Sequence, residues 1–281
     1  MILFTHRGKG LHGGAPAEAW IEATGGAGVE VQAMGRTLSL GPGAALAAGG
    51  TLATDLAFGQ RRLRTVEHWL SAVVGLGVGG VRLVCVEGDE LPAAGGDALA
   101  VCAALRGAAL PALVSWSPPV VVCVRQGRAW ARWEPGEGLE VAYRVDFEGT
   151  ALGRQSLEVV LTPERYLCDI ASARTFAVAP SREAFLLARQ RGVGAGLEET
   201  GGFVAGPRGY WFGQPRRPDE AVRHKVLDLM GDLGLLGVRP EGRIEIDGGG
   251  HRLHRALARA AVPMLGLSNV RRTGSPLQEG R

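Results

Sequence analysis

Ten residues in mid-chain, Leu110-Pro-Ala-Leu-Val-Ser-Trp-Ser-Pro-Pro119, constrain the fold most, because they divide 281 residues into two halves that each run strands first and helices after. Proline fixes φ and withholds an N–H, so three prolines in this stretch read as a linker. At roughly 150 residues per domain, the length agrees with two domains. The expected boundaries are 1–114 for the first and 119–270 for the second, with 271–281 a polar, flexible tail.

In the first half, Ile2–Thr5, Ala17–Ala23 and Val81–Glu87 have strand character, and Glu18 and Trp20 share one parity. Val66–Val74 has helical apolar spacing (Val66, Trp69, Leu70, Val73), with Thr65 as its expected N-cap and Gly75-Leu-Gly-Val-Gly-Gly80 as its stop. Asp97–Ala109 reads as a second helix, and the Gly- and Ala-rich Gly41–Gly50 as a loop. The second half restarts with strands at Val120–Arg125, Ala129–Trp133, Leu139–Phe147 and Ser156–Leu161. Helices follow near Pro163–Ala171, Arg182–Arg191 and Pro218–Leu236, then a strand at Gly242–Ile246 and a helix at about His251–Ala261. The fold class expected is α+β, with two sandwich-like domains.

Thirty-one basic against 28 acidic side chains leave a charge of +3, too even for nucleic-acid binding on electrostatics alone. Cys85, Cys102, Cys123 and Cys168 are scattered without CxxC spacing, which argues against a disulfide framework and for a reducing compartment. The most apolar stretch, Ala98 to Trp116, is broken by Arg106 and Pro111, so no membrane span is expected. The N-terminus lacks the apolar core of a signal peptide, and the expected location is the cytoplasm.

Among residues able to do chemistry, Arg223-His-Lys-Val-Leu-Asp-Leu-Met-Gly-Asp232 carries the strongest local signal. His224, Asp228 and Asp232 fall at i, i+4 and i+8, so on a helix they share one face. An imidazole and a carboxylate one turn apart can both reach one Zn²⁺, although the same spacing also makes ordinary surface ion pairs. Glu67 and His68 lie in an otherwise apolar helix, where they need partners or a cleft; one solvated turn is the alternative. His251 follows Asp247-Gly-Gly-Gly250 at a helix start, a place from which it can donate a proton or simply pack. His254, one turn on, and His12, in a glycine-rich turn, read as structural. Lys9 and Lys225 are the only lysines against 29 arginines, and a lone interior ammonium differs physically from an arginine fork. His68, His224 and Asp228 together would leave a fourth tetrahedral position open, as in a catalytic zinc.

These residues lie in motifs that resemble, in order and over most of the chain, the zinc-dependent UDP-3-O-acyl-N-acetylglucosamine deacetylases (LpxC) of lipid A synthesis. The matching segments are Gly8-Lys-Gly-Leu-His-Gly-Gly14, Thr65-Val-Glu-His-Trp-Leu-Ser-Ala72, Ala173-Arg-Thr-Phe176, Val222-Arg-His-Lys-Val-Leu-Asp-Leu-Met-Gly-Asp232 and Gly250-His251, with Glu90 to Ala98 a weaker counterpart. The resemblance implies two α/β sandwich domains, each of two layers, with the active site at their interface. It implies His68, His224 and Asp228 as Zn²⁺ ligands and Glu67 as general base. Thr175 and Lys225 would stabilise the oxyanion, and His251, held by Asp232, would assist the leaving group. Phe147 and Phe176 would be substrate-binding, with Phe147 stacked on the uracil.

Part of the recognition pattern departs from the family. Gly248 stands where it usually has a lysine, and His254 and Arg255 replace two asparagines. Two other readings therefore stay open: a divergent N-acyl-sugar amidohydrolase, and a non-catalytic homologue that binds a nucleotide-sugar or acyl ligand. The expected partner is a small acylated UDP-sugar bound by a monomeric chain, with no nucleic acid and no membrane span.

Overall fold

Residues 1–265 are described by a computed structural model. The expected tail 271–281 lies outside the described residues, as do the last residues of the expected second domain.

Alternating burial in the first ninety residues builds a five-stranded sheet from Ile2–Lys9, Pro16–Ala23, Val29–Ala33, Arg36–Ser39 and Val81–Glu87. Ala17, Ala19 and Ile21 face the core, while Glu18 and Trp20 share the half-exposed parity. The last strand takes the central place, antiparallel to Pro16–Ala23 and parallel to Val29–Ala33. The second sheet contains Val122–Gln126, Ala129–Glu134, Leu139–Phe147, Gly153–Val160 and Gly242–Asp247. Again the final strand is central, antiparallel to Ala129–Glu134 and parallel to Leu139–Phe147. Both sheets are hairpin, inserted last strand, hairpin. A topology is thus repeated without any short repeat in sequence.

Among the described residues eight α-helices accompany the sheets: α1 (Pro42–Ala47), α2 (Glu67–Leu76), α3 (Leu99–Arg106), α4 (Pro163–Asp169), α5 (Arg182–Gln190), α6 (Leu197–Thr200), α7 (Glu220–Gly234) and α8 (His251–Ala261). Every residue of α2 is buried, and in α7 all but Arg223 and Lys225 are. Helices buried on nearly every face lie inside a core, and the polar groups they carry there need partners. One continuous apolar cluster joins α2 and α7 to side chains of both five-stranded sheets. The two helices touch backbone to backbone at Gly231, where a Cβ would lie 2.0 Å from the Glu67 carbonyl oxygen. On the far side of α2, Gly75 accepts the Tyr166 ring of α4, and Ser71 Oγ meets Tyr166 OH at 2.7 Å.

Three local expectations are corrected. Gly41–Gly50 is not all loop: Pro42 at the first turn and a run of alanines form α1, burying Ala44 and Ala45. The linker is not free chain, because Ser115–Trp116 pairs in parallel with Arg239–Pro240. Trp116 is buried against Trp133, ring centroids 5.4 Å apart. Thr65 does not cap α2: the N-cap is Val66, and the Thr65 hydroxyl donates instead to Glu90 Oε1 at 2.7 Å. A small sheet of Phe176–Val178, Phe203–Ala205 and Tyr210–Phe212, not expected from the sequence, stands beside α5 and α6.

Candidate active site

The buried crossing of α2 and α7 brings together the residues that the sequence separates. α2 presents Glu67 and His68 in its first turn, and α7 presents His224, Asp228 and Asp232 along one face. Thr65, just before, adopts φ +56°, a left-handed conformation that costs a β-branched residue on the order of 1–3 kcal/mol. The α8 N-terminus delivers His251 after a reversal through Gly248 and Gly249, both at positive φ. A Cβ on Gly249 would strike Leu253 at 2.7 Å, so that turn needs glycine.

Ligand-type atoms of His68, His224 and Asp228 lie within 4.8 Å of one another, all buried. His224 Nε2 is 3.3 Å and His68 Nε2 3.9 Å from Asp228 Oδ1. That oxygen is buried without a hydrogen-bond partner, whereas Oδ2 accepts from Lys225 Nζ at 2.8 Å. Burial, reinforced by His224, pushes the His68 imidazole down to about 3, and burial also lowers His224. Both rings are therefore neutral and carry a lone pair. His224 Nδ1–H donates to the Ala173 carbonyl at 3.0 Å, which turns its Nε2 lone pair into the site. Burial alone would raise Asp228, but His224, Lys225 and His251 outweigh it and hold the carboxyl well below its usual range. An orphaned anionic oxygen facing two neutral imidazoles fits Zn²⁺, with a fourth position left for water or substrate.

Around this triad stand the remaining expected residues. Glu67 is 1% exposed; its Oε2 accepts the Thr54 backbone N–H at 2.9 Å, and its Oε1 faces His251 Nε2 at 3.8 Å. Burial drives its carboxyl up to about 8, against the pull of His251. His251 Nδ1 meets Asp232 Oδ2 at 2.9 Å, and its Nε2 lies 3.7 Å from Asp228 Oδ2. Burial lowers this imidazole, but Asp232, Asp228 and Glu67 more than offset that and raise it to about 9. Asp232 stays ionised despite burial because His251 and His254 both face it.

Thr175 is fixed by its N–H to the Gly96 carbonyl at 2.8 Å, and Lys225 Nζ lies 5.5 Å above the Phe176 ring. Both line the same cavity as Glu67, His68 and His251. Phe176 walls that cavity, while Phe147 meets it through Phe176, edge to face at 5.2 Å. The Ala173–Phe176 segment is anchored by Arg174, whose guanidinium is bidentate on buried Glu220 (2.8 and 3.0 Å).

The cavity, about 540 Å³, runs from these polar groups to an apolar end formed by Ala179, Phe185, Ala188, Leu197 and Val204. A more open recess of about 610 Å³, lined by Gln126, Gly249 and Arg252, adjoins it at Gly250 and His251. His12, read from the sequence as structural, walls the main cavity with both ring nitrogens buried and unpartnered. Its loop is pinned by Glu90, which accepts the His12 and Gly13 N–H groups at 2.8 and 2.9 Å. A histidine in a glycine-rich turn was the only sequence signal for it. Thr54 gave none.

Two imidazoles and a carboxylate at one point, with a spare buried carboxylate beside them, are a donor set that could hold a metal ion, the kind found in metal-dependent hydrolases. The whole chain carries that assignment further. Residues 3–262 match the family model described as LpxC, UDP-3-O-acyl N-acetylglycosamine deacetylase. The chain is 34% identical to the UDP-3-O-acyl-N-acetylglucosamine deacetylase of Trichormus variabilis, over 78% of this chain and 79% of that protein. It is 31% identical to the protein of the same name from Anaeromyxobacter sp. strain Fw109-5, over 95% of this chain and 89% of the relative. The chain belongs to the LpxC family, the zinc-dependent deacetylases of lipid A biosynthesis. No helix among the described residues is long and apolar enough to cross a membrane.

Proposed function

We propose that the chain hydrolyses the N-acetyl group of UDP-3-O-acyl-N-acetylglucosamine, with His68, His224 and Asp228 as the zinc ligands and Glu67 as general base. The observation that carries this reading is Glu67 itself, a buried carboxylate beside the ligands but outside the ligand set. A binding protein has no use for a carboxyl group whose ionisation burial makes so costly.

When bound, zinc supplies Lewis acidity and loosens the proton of water, whose pKa it can bring to roughly 7. Glu67 Oε1 takes a proton from the attacking water as the new C–O bond forms. Lys225 Nζ and Thr175 Oγ1 donate to the carbonyl oxygen as it gains charge; one such donor contributes about 3–4 kcal/mol. His251, kept protonated by Asp232, gives its Nε2 proton to the departing amine as the C–N bond breaks. Acetate and a free amino sugar leave.

The apolar end of the cavity suits the 3-O-acyl chain, and Phe176 on the wall, with Phe147 packed behind it, is the aromatic pair we assign to the uracil. The adjoining recess, with Arg252 at its wall, suits the diphosphate in place of a lysine at Gly248. We further read 1–114 and 119–270 as two α/β sandwich domains with the site at their interface. Support comes from the repeated strand order and from ligands contributed by both halves. Cysteines Cys85, Cys102, Cys123 and Cys168 are free, which suits the cytoplasm.

The test is acetate release from UDP-3-O-acyl-N-acetylglucosamine with and without a chelator. Chelator-sensitive turnover, lost in Glu67→Ala while zinc remains, supports the reading. Release from other N-acetyl sugars but not from this one would favour a divergent amidohydrolase instead.

A further inference from the structure

Asp232 is fully buried, and each of its oxygens is held by a separate part of the chain. Oδ2 accepts from His251 Nδ1 at 2.9 Å and also from His254 Nδ1 at 2.8 Å. His254 is itself fully buried, and its Nε2 meets Tyr143 OH at 2.9 Å. A phenol hydroxyl donating to Nε2 fixes the neutral ring with its proton on Nδ1, pointed at Asp232. The second oxygen, Oδ1, accepts the Thr54 hydroxyl. Thr54 Oγ1 in turn accepts from Arg255 Nη1 at 2.8 Å, and Arg255 also donates to the Gly50 carbonyl. The same Thr54 gives its backbone N–H to Glu67 Oε2.

We propose that His254 and Arg255, consecutive on α8, are positioning residues that lock both oxygens of Asp232 and thereby hold His251 Nε2 aimed across the cavity at Glu67. His254 acts directly and Arg255 through Thr54. Through Thr54, one loop residue, both working carboxylates are set at once. Asp232, His251 and His254 also form a ligand-like group. Their N–O distances are those of hydrogen bonds, and Tyr143 and Thr54 complete the network, so a second metal is not needed to explain it. The inference rests on His251 as proton donor.

Turnover, zinc stoichiometry and side-chain ¹⁵N NMR test it on the zinc-loaded protein. His254→Ala is expected to lower kcat by roughly tenfold or more, the usual cost of losing an outer-shell partner, with KM and one zinc per chain unchanged. His254→Gln, which keeps an N–H donor, is expected to recover part of that loss, and Arg255→Lys to be milder than Arg255→Ala. Tyr143→Phe deletes only a hydroxyl. It is expected to shift the Nε2 signal of His254, whose lone pair loses its donor while Asp232 Oδ2 keeps the proton on Nδ1, and this arm stands even if His254→Ala fails to fold. A His254→Ala kcat within twofold of wild type, a second zinc per chain, or unmoved His254 signals in Tyr143→Phe would overturn the proposal. His251→Ala separates the two layers. A dead His251→Ala beside a silent His254→Ala removes only the positioning role, whereas an active His251→Ala removes the proton donor as well.

Discussion

Replacing Gly231 with alanine places a methyl group at the point where α7 touches α2. The new Cβ would lie 2.0 Å from the Glu67 carbonyl oxygen, 2.6 Å from its carbonyl carbon and 2.8 Å from its Cα. All three atoms are backbone, so no side chain can rotate away, and in a close-packed interior the helices must part by about 1 Å. Overpacking of this kind costs roughly 1–3 kcal/mol of stability. The larger effect falls on the site, because His68 travels with α2 while His224 and Asp228 stay with α7. A misplacement of about 1 Å can cost about a hundredfold in rate. Gly231→Ala should therefore fold with a lowered Tm, hold zinc weakly and lose about two orders of magnitude in kcat/KM. Gly234→Ala is the control: its Cβ would meet the Val74 Cγ2 methyl at 2.9 Å, which can yield. Metal analysis, a thermal melt and an acetate-release assay on both variants suffice. Gly231→Ala with full zinc and wild-type turnover would show that the helix contact does not set the site.

Rate should rise with pH as Glu67 ionises and fall as His251 loses its proton, giving a bell-shaped kcat/KM profile. Asp232→Asn removes a carboxylate that keeps His251 charged, so its alkaline limb should move to lower pH; an unmoved limb would exclude His251 as that group. In zinc-free protein, Glu67 at about 8 and His251 at about 9 both bind protons more tightly folded than unfolded. Their stabilisation is present at lower pH and lost as pH rises through those values, so Tm should fall between about pH 6.5 and 9. A flat or rising Tm there would contradict it. Arg174→Ala leaves Glu220 buried without its bidentate partner and frees the segment bearing Ala173 and Thr175. A loss of about 3–5 kcal/mol in chemical denaturation is expected, and a loss under 1 kcal/mol would show the pair to be dispensable.

Much of the site was legible because it is local. His224, Asp228 and Asp232 declare themselves by helical spacing, and α7 (Glu220–Gly234) falls within the expected Pro218–Leu236. Local signals fail where partners are remote. Tyr143 lies 111 residues from His254, and Thr54 lies 201 from Arg255, so neither pair leaves a pattern in any window of sequence. Composition misled at Gly41–Gly50, where alanine supplies helix propensity that the glycines conceal. It misled again at the linker, where prolines mask a tryptophan whose burial pins the segment to Arg239–Pro240. Thr65 looked like a cap because capping is the commonest use of a threonine there, but a glutamate 25 residues away took its hydroxyl.

The inserted final strand has a consequence for the order in which the molecule matures. Until Gly242–Asp247 enters, the two hairpins of the second sheet have no shared neighbour to join them. His251 follows that strand by only a short glycine turn. A nascent chain can thus cross α2 with α7 while His251 is still unplaced, and the proton donor proposed above arrives only with the last piece of the sheet.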